Sequence, residues 1–298
     1  MLAVIVVTGA LVRLTGSGLG CVDWPSCNEE RFIDVSSTHG AIEQVNRLFT
    51  GVVAASVIVA VLGSLLRAPR RRDLTWLSLG LVAGVLAQVV IGGIVVLTGL
   101  HPLWNMAHFL VSMVLVSVAA LLVRRSGEPD GGGRTRPCDI VTERLTWGTA
   151  VLGCAAIVTG TVVTATGPHA GDENAERLGF ELGSVARVHG ITVVLTLACA
   201  ALLALRLWRR GSGAWVALRT PLETVIALGA IQGTIGYVQW FAGVPVGLVA
   251  VHIALATAIM VSLVSLVAGL RPVVSADQDV ATRAASDPMT ERASATVR

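Results

Sequence analysis

Residues 74–98 read LTWLSLGLVAGVLAQVVIGGIVVLT, a run of 25 residues without a charged side chain. A helix of about 20 apolar residues is long enough to cross the roughly 30 Å hydrocarbon core of a membrane. Three arginines at 70–72 stand before the run and Gly99 follows it. The run therefore predicts a transmembrane helix.

The same pattern recurs along the chain, which is 54% hydrophobic and 14% charged, with a mean hydropathy of +0.75. Such a composition suits a bilayer rather than water. A shorter apolar run at 1–12 lacks the basic start and the cleavage site of a signal peptide, so we expect it to be the second half of a truncated first helix. We predict an all-α integral membrane protein with eight transmembrane helices, of which the seven complete spans are 43–66, 74–98, 104–123, 145–166, 187–207, 218–241 and 246–270.

The basic residues predict the orientation of these helices. All 22 are arginine, and most lie in the second, fourth and sixth connections. Arginine near membrane helix ends is retained on the cytoplasmic side, so we expect a multi-pass cell-membrane protein with both termini in the cytoplasm. Contact with anionic lipid explains the pI near 8.8. Without a basic stripe or a recognition motif, we expect no nucleic-acid partner.

An internal repeat divides the helices into two sets of four. Residues 9–16, GALVRLTG, resemble residues 160–167, GTVVTATG, and IGGI at 91–94 echoes QGTI at 232–235. Because each set has an even number of spans, both sets enter the membrane from the same side, which predicts a pseudo-two-fold axis along the membrane normal. We expect two pseudo-symmetric four-helix bundles at 1–123 and 145–270, a cytoplasmic linker at 124–144 and a disordered tail at 271–298.

Three of the six histidines, His108, His189 and His252, lie within predicted spans near their outer ends. A histidine in hydrocarbon is costly and is therefore a functional candidate. His189 at the start of helix six and His252 in the first turns of helix eight lie at matched depth, as bis-histidine ligation of heme in a helical bundle requires. The alternative is that each histidine only hydrogen-bonds to a neighbouring helix.

The repeat gives the first half a different set of ligands. His252 maps onto His108, whereas His189 maps onto Asn46. Because asparagine is a poor iron ligand, a heme in the first half would have one protein ligand and an open face, which suits a substrate. His39 and His101, in the outer connections, are alternative second ligands.

Charged residues stand at the outer ends of helices two and six. Glu43 lies three residues before Asn46, on the same helix face, where a carboxylate could move protons or stabilise positive charge; alternatively, it pairs with Arg47. Arg47 and Arg187 oppose the positive-inside trend, and their guanidinium groups suit heme propionates. Arg13, at the outer end of helix one, is a further candidate for this role.

Two of the five cysteines, Cys21 and Cys27, share a polar loop on the outer side. Disulfides persist in that oxidising compartment. A disulfide there would be purely structural or would exchange electrons or thiols during a reaction. Zinc is not expected with two thiols and no nearby His-x-x-His pattern.

At these residues the chain resembles the heme A synthase family, in its actinobacterial form. The resemblance covers residues 1–270 and departs from the family at Asn46, where many members have histidine. The stretches that carry it are VVTGALVRLTGSGLGCVDWPSCN at 6–28, IEQVNR at 42–47, GPHAGD at 167–172, and the single histidines of helices four, six and eight.

The resemblance implies an enzyme that oxidises the methyl group at position eight of heme O to a formyl group by successive hydroxylations, which gives heme A for cytochrome oxidase. The resemblance does not identify the electron donor of this reaction. The farnesyltransferase that makes heme O and a second copy of this chain, as a homo-oligomer, are candidate partners.

The resemblance also implies residue roles. Heme b would be the cofactor, ligated by His189 and His252 with Arg187 beside it. The essential carboxylate would be Glu43, and the outer cysteine pair would be Cys21 and Cys27. The residues assigned to the heme O substrate would be His108, Asn46 and Arg47.

Two other classes fit part of the pattern. An electron-transfer cytochrome b would need bis-histidine hemes in both halves, and Asn46 speaks against it. A transporter built from parallel repeats would use histidines as proton relays near the midplane, whereas the polar residues here cluster at the outer rim. The enzyme is the favoured interpretation.

Overall fold

The computed structural model describes residues 1–131, 133–135, 138–210 and 214–274, without the side chains of Ala214 and Val274. Each predicted span coincides with one helix, so the all-α prediction is confirmed. In these ranges the helices are α1 Leu2–Leu14, α2 Thr38–Leu66, α3 Arg72–Leu97, α4 Pro102–Ser126, α5 Ile140–Thr166, α6 Leu182–Arg210, α7 Ala214–Phe241 and α8 Val246–Ala268.

Six of these helices, α2 to α6 and α8, are long and apolar enough to cross a membrane. The chain is therefore a multi-pass membrane protein. Helix α1 has 13 residues, and α7 has 28 but carries the polar side chains of Glu223, Gln232 and Gln239. The count of eight transmembrane helices stays a prediction.

Helix α6 begins earlier than the sequence predicted. The apolar run indicated a start near residue 187, whereas the helix starts at Leu182. At a rise of about 1.5 Å per residue, His189 lies about 10 Å inside the helix. The prediction that His189 begins this helix was wrong. The first turns contain Ser184 and Arg187, so they did not count as part of the apolar run.

Local sequence explains where several helices begin. Ser37 accepts a hydrogen bond from the backbone N–H of Gly40 and caps α2. Asp139 accepts from the N–H groups of Val141 and Thr142 and caps α5. Pro102 occupies the first turn of α4, where its missing N–H costs nothing.

The helices contact each other in two rings. Helix α1 packs on α2, α2 on α3, α3 on α4, and α4 returns to α1; α5 to α8 repeat this order of contacts. The rings meet where α8 contacts α1 and α4, and where α4 contacts α5. An apolar cluster fills this seam and includes Val6, Phe109, Met113, Ile157 and Ile253.

Glycines allow the helices to approach closely. Leu115 of α4 fills the space beside Gly84 of α3, and a Cβ at Gly153 of α5 would lie 2.5 Å from Leu263 of α8. Small residues at contact points let membrane helices gain dispersion energy by close packing.

The arginine-rich connections lie at one end of the molecule. Arg67 and Arg71 pair with Asp130 at 3.1 and 3.3 Å, and Arg206 and Arg210 pair with Asp139 at 2.8 and 3.1 Å. The hydrogen bond from Arg206 is the main reason that the pKa of Asp139 lies below its usual range. These ion pairs tie successive connections together at that end.

A short antiparallel ladder also lies at this end. It pairs Gly133–Arg134 with Val273–Val274 and so joins the predicted linker to the start of the predicted tail. The rest of that tail, 275–298, lies outside the described residues.

Candidate functional site

A cavity of about 1740 Å³ opens between the helices and is lined by both rings. Sites for small ligands usually measure about 300–1,000 Å³. This cavity is therefore large enough for two such molecules. The predicted site residues that line it are Glu43, Asn46, Arg47, His108, Arg187, His189 and His252.

In the second ring, His189 of α6 faces His252 of α8. The ring centres are 6.4 Å apart, and the ring planes make an angle of 68°. An imidazole nitrogen bonds a transition metal at about 2.0–2.1 Å and lies about 1.1 Å from its ring centre, so two imidazoles on one metal have centres about 6.3 Å apart. The gap therefore fits one metal atom.

The surroundings favour heme over a bare ion. Among the residues that the structure describes, no group of three or more His, Cys, Asp or Glu side chains could hold a metal. A pair of imidazoles suffices when a porphyrin supplies the other four ligands. The large apolar space around the pair fits such a macrocycle.

His189 is oriented by a threonine of α5. Its Nδ1 lies 3.2 Å from Thr159 Oγ1, which donates its own proton to the carbonyl of Ala155 at 2.9 Å. With its proton on that carbonyl, Thr159 can accept a hydrogen bond from a protonated Nδ1 of His189, and in that tautomer Nε2 carries no proton and can bind a metal. A Cβ on Gly160 would lie 3.1 Å from the His189 ring, so glycine makes room for it.

The same pair of contacts, one with a glutamine and one with a glycine, holds His252 and His108. Gln232 donates to the carbonyl oxygen of His252 at 2.9 Å, and Gln88 donates to that of His108 at 2.9 Å. Four residues after each glutamine, Gly236 and Gly92 receive the histidine ring, with Cβ approaches of 3.4 and 3.3 Å.

These contacts correct the register of the repeat. The predicted correspondence set residue 91 against residue 232, but the contacts set QVVIG at 88–92 against QGTIG at 232–236. The corrected offset equals that between His108 and His252.

Asn46 is held as its counterpart His189 is held. Thr8 of α1 donates to Asn46 Oδ1 at 2.8 Å, and Gly9 lies beside the amide nitrogen. Thr8 corresponds to Thr159, and Gly9 to Gly160, at the offset of 151 seen in the sequence. The structure thus places Asn46 where the second ring has an imidazole.

Glu43 lies at the outer end of the first ring and is only 5% exposed. Its Oε1 accepts from Nη2 and Nε of Arg47 at 2.6 and 3.0 Å, and its Oε2 accepts from the backbone N–H of Cys21 at 2.8 Å. The pairing with Arg47, one of the two sequence alternatives, is therefore present. Glu43 also fastens the outer loop to α2.

The donors of Arg47 are bonded to Glu43 and to the outer loop. Its remaining donors bond the carbonyl oxygens of Asp23, Ser26 and Cys21 at 3.1 to 3.4 Å, so all five N–H groups are used. No donor is left for a propionate, and the predicted direct contact with a substrate carboxylate has no support in this geometry. Arg47 instead holds the loop.

That loop is closed by the disulfide between Cys21 and Cys27, as predicted. Trp24, between the two cysteines, reaches the cavity and rests on Gly93 of α3, where a Cβ would lie 2.6 Å from the indole. The Arg47 guanidinium lies 5.1 Å from the Trp24 ring centre, within cation–π range. Sequence reasoning missed Trp24 because it lies in a polar loop.

Two other arginines line the cavity. Arg187 makes no hydrogen bond or ion pair within the described ranges, so its donors are available to an anionic ligand. Arg13 donates from Nη2 to the carbonyl of Thr164 at 2.9 Å and so links α1 to α5 across the seam. Its Nε is buried and unpaired in the described part of the chain.

The remaining histidines do not complete the first ring. His39 Nδ1 bonds Ser17 at 2.8 Å, and His101 lies 3.8 Å from Glu176; neither lines the cavity. The alternative that either one supplies a second ligand is therefore wrong for this structure. His169 bonds the carbonyl oxygen of Val244 at 2.8 Å and joins two outer loops.

These features define a multi-pass membrane protein whose histidines face a cavity of heme size. Comparison with known proteins gives the family. The model of the cytochrome oxidase assembly protein family matches residues 1–39 and 32–264, and the chain belongs to this family.

Relatives in this family include heme A synthases. The one from Lysinibacillus sphaericus is 35% identical over 120 residues, which is 40% of this chain and 38% of that protein. Those from Bacillus pumilus and Listeria welshimeri are 34% and 32% identical over 41% and 43% of each chain. Each match spans about two fifths of the relative's length, and the actinobacterial assignment stays a prediction.

Proposed function

We propose that the chain is a heme A synthase, which oxidises the methyl group at position eight of heme O to a formyl group for cytochrome oxidase. The observation that carries the proposal is the contrast between the two rings. Both hold one histidine against a Gln-x-x-Ile-Gly motif, but the ring of His252 lies beside that of His189, whereas Asn46 occupies the corresponding position in the first ring. One ring thus suits a permanent cofactor and the other an exchangeable substrate.

The proposed architecture is two pseudo-symmetric bundles of eight transmembrane helices, at 1–123 and 145–270, about an axis along the membrane normal. Contacts of Thr8 with Asn46 and of Thr159 with His189 support it, as do the two glutamine contacts. The arginine-rich end would face the cytoplasm with both termini.

Heme b is the proposed cofactor of the second bundle, held by His189 and His252. Bound there, it would supply one-electron chemistry. In this role His189 would carry its proton on Nδ1, where Thr159 can accept the hydrogen bond, and Gln232 holds the backbone of His252. Arg187 would pair with a propionate, because its donors bond nothing in the described part of the chain and it lies on the cavity wall.

Heme O is the proposed substrate of the first bundle, with His108 as its protein ligand. A single ligand holds the substrate less tightly than two, so the product can leave. Trp24 and the disulfide loop pack over the outer end of this bundle, which limits the access of water to the substrate. Arg47 would contribute through the loop.

Glu43 is the proposed catalytic carboxylate. Its position at the cavity wall, with Arg47 and the Cys21 N–H stabilising its charge, suits a group that accepts or relays protons released from the substrate methyl. Alternatively, Glu43 acts only by fastening the disulfide loop to α2.

The reaction removes four electrons from the methyl carbon. With dioxygen as the oxidant, each hydroxylation inserts one oxygen atom into a C–H bond and releases the other as water, using two electrons and two protons from the electron donor. Two hydroxylations give a geminal diol. Loss of water from the diol gives the aldehyde. The chain would fix the methyl group close to the oxidant and keep the porphyrin from turning.

The partners follow from this chemistry. An electron donor must serve the second bundle, and a heme O-producing farnesyltransferase in the same membrane would supply the substrate. A second copy of the chain is a further candidate partner.

The test is expression of the chain in a host that makes heme O but no heme A, followed by pigment extraction and mass analysis. We expect heme A or its hydroxylated intermediate, and their loss in Glu43→Gln with heme b retained. Bound heme b with unchanged heme O, when reduction of that heme b by an electron donor is demonstrated, would instead favour an electron-transfer cytochrome.

A further inference from the structure

Asn46 is fixed in one orientation. The Thr8 hydroxyl lies 2.8 Å from Asn46 Oδ1 and 3.3 Å from the carbonyl of Ile5, so the shorter bond occupies the amide oxygen. The amide NH₂ group carries two donors, and neither bonds an acceptor within the described residues. Because Asn46 lines the cavity, these donors are presented to whatever fills it.

The repeated contacts show what the NH₂ group faces. His189, in the same position, lies with its ring centre 6.4 Å from that of His252. His108 is held as His252 is, and both Asn46 and His108 line the cavity, so the repeat assigns Asn46 to the position opposite His108 in the first ring. An asparagine is shorter than a histidine, and its amide nitrogen does not replace an imidazole as a ligand. With heme O held by His108, the shorter side chain would leave space on the Asn46 side of the first ring.

We propose that this space is a binding site for a small oxygen-type ligand of the heme O iron, and that Asn46 is its hydrogen-bond donor. Donors on the open side of a heme decide whether a small ligand that gains negative charge is bound and stabilised. Thr8 is the positioning residue that keeps the donors turned toward the ligand. The inference rests on the proposed function only in requiring that His108 binds heme O.

The site can be tested without turnover. The purified chain, loaded with heme O, is reduced and titrated with carbon monoxide, and the oxidised protein is titrated with cyanide. A second-ring heme with two histidine ligands has no open position and binds neither probe, so the signal reports the first ring alone.

Three variants separate the roles. Asn46→Leu removes the donors, Thr8→Val releases the amide, and Asn46→His offers a second ligand. The matched control is Ser56→Ala on the same helix, because among the described residues Ser56 bonds only its own helix backbone at Val53 and does not line the cavity.

We expect a high-spin heme O that binds both probes in the unaltered chain and in Ser56→Ala. Asn46→Leu should bind cyanide about tenfold more weakly and raise the carbon monoxide stretching frequency, and Thr8→Val should do the same to a smaller extent. Asn46→His should become low-spin and lose both probes. Heme b content in each variant shows that the chain is folded.

Low-spin heme O without probe binding in the unaltered chain would overturn the inference and leave the proposed function intact. So would unchanged cyanide affinity and stretching frequency in Asn46→Leu. Failure of the folded chain to take up heme O would overturn both. Absence of heme A with normal probe binding would count against the proposed function alone.

Discussion

Removing the charge of Glu43 or of Arg47 tests whether this ion pair anchors the disulfide loop to α2. The two side chains are 7% and 13% exposed, and Glu43 receives three hydrogen bonds from charged or backbone donors. Removing one partner of a buried ion pair costs about 3–5 kcal/mol, because the other charge stays buried without compensation. We therefore expect Glu43→Gln and Arg47→Met each to destabilise the protein by about this amount.

The double variant should lose less than the sum. With both charges absent, the amide oxygen introduced by Glu43→Gln would still accept from the Cys21 N–H, and no uncompensated charge would remain. Contacting residues show coupling energies of about 0.5–3 kcal/mol, and we expect a value near the upper end. At about 2–4 °C per kcal/mol, each single variant should unfold on the order of 10 °C lower.

The assay is a double-mutant cycle of thermal unfolding in detergent at matched heme content. Thiol labelling after mild reduction would report whether the loop has loosened, because Cys21 and Cys27 are buried in the unaltered protein. If the two single effects add to within about 0.5 kcal/mol, the pair does not act as a unit and the proposed anchor is wrong.

Three further predictions follow from other parts of the molecule. His189→Ala and His252→Ala should each abolish low-spin heme b in the purified protein, and a normal low-spin spectrum in both would refute the cofactor assignment. Gly93→Ala should displace Trp24 and alter its fluorescence, because the new Cβ would lie 2.6 Å from the indole, whereas Gly80→Ala on the same helix meets nothing within 4 Å. Asp139→Asn should destabilise the protein at neutral pH. Because the folded pKa of Asp139 is depressed, its contribution is fully present above about pH 4 and declines as pH falls through the folded pKa, so unfolding of the two proteins should converge in acid.

The helices were predictable because a long apolar run in a membrane protein crosses the bilayer as a helix, which satisfies its own backbone hydrogen bonds. The runs predicted the ends of the described helices to within five residues, and the largest differences are at the starts of α2, α5 and α6, each of which begins five residues before its predicted span. At the start of α6, the amphipathic segment 182–187 carries charge inside a helix, and hydropathy alone misses it. The start of the helix matters because it sets the depth of His189.

Candidate site residues were predictable only where their side chains are of types rarely found in the hydrocarbon region. Histidines and Glu43 stand out for that reason, but Thr8, Thr159, Gln88 and Gln232 look like ordinary polar helix residues. A signal for the glutamines was present, since they recur at the spacing that relates His108 to His252. The similarity of the glycine-containing segments 91–94 and 232–235 instead placed residue 91 against residue 232, which is three residues out of register.

The contrast between the rings has a physical logic under the proposed function. A cofactor must stay bound through many turnovers, and two oriented imidazoles achieve this. A substrate must arrive and leave, and it must keep an open coordination position for the chemistry. Replacing one imidazole by an amide in an otherwise repeated frame satisfies both demands, because Thr8 and Gly9 hold Asn46 as Thr159 and Gly160 hold His189. At the position opposite the shared histidine, a single side chain therefore distinguishes two sites built on the same order of helix contacts.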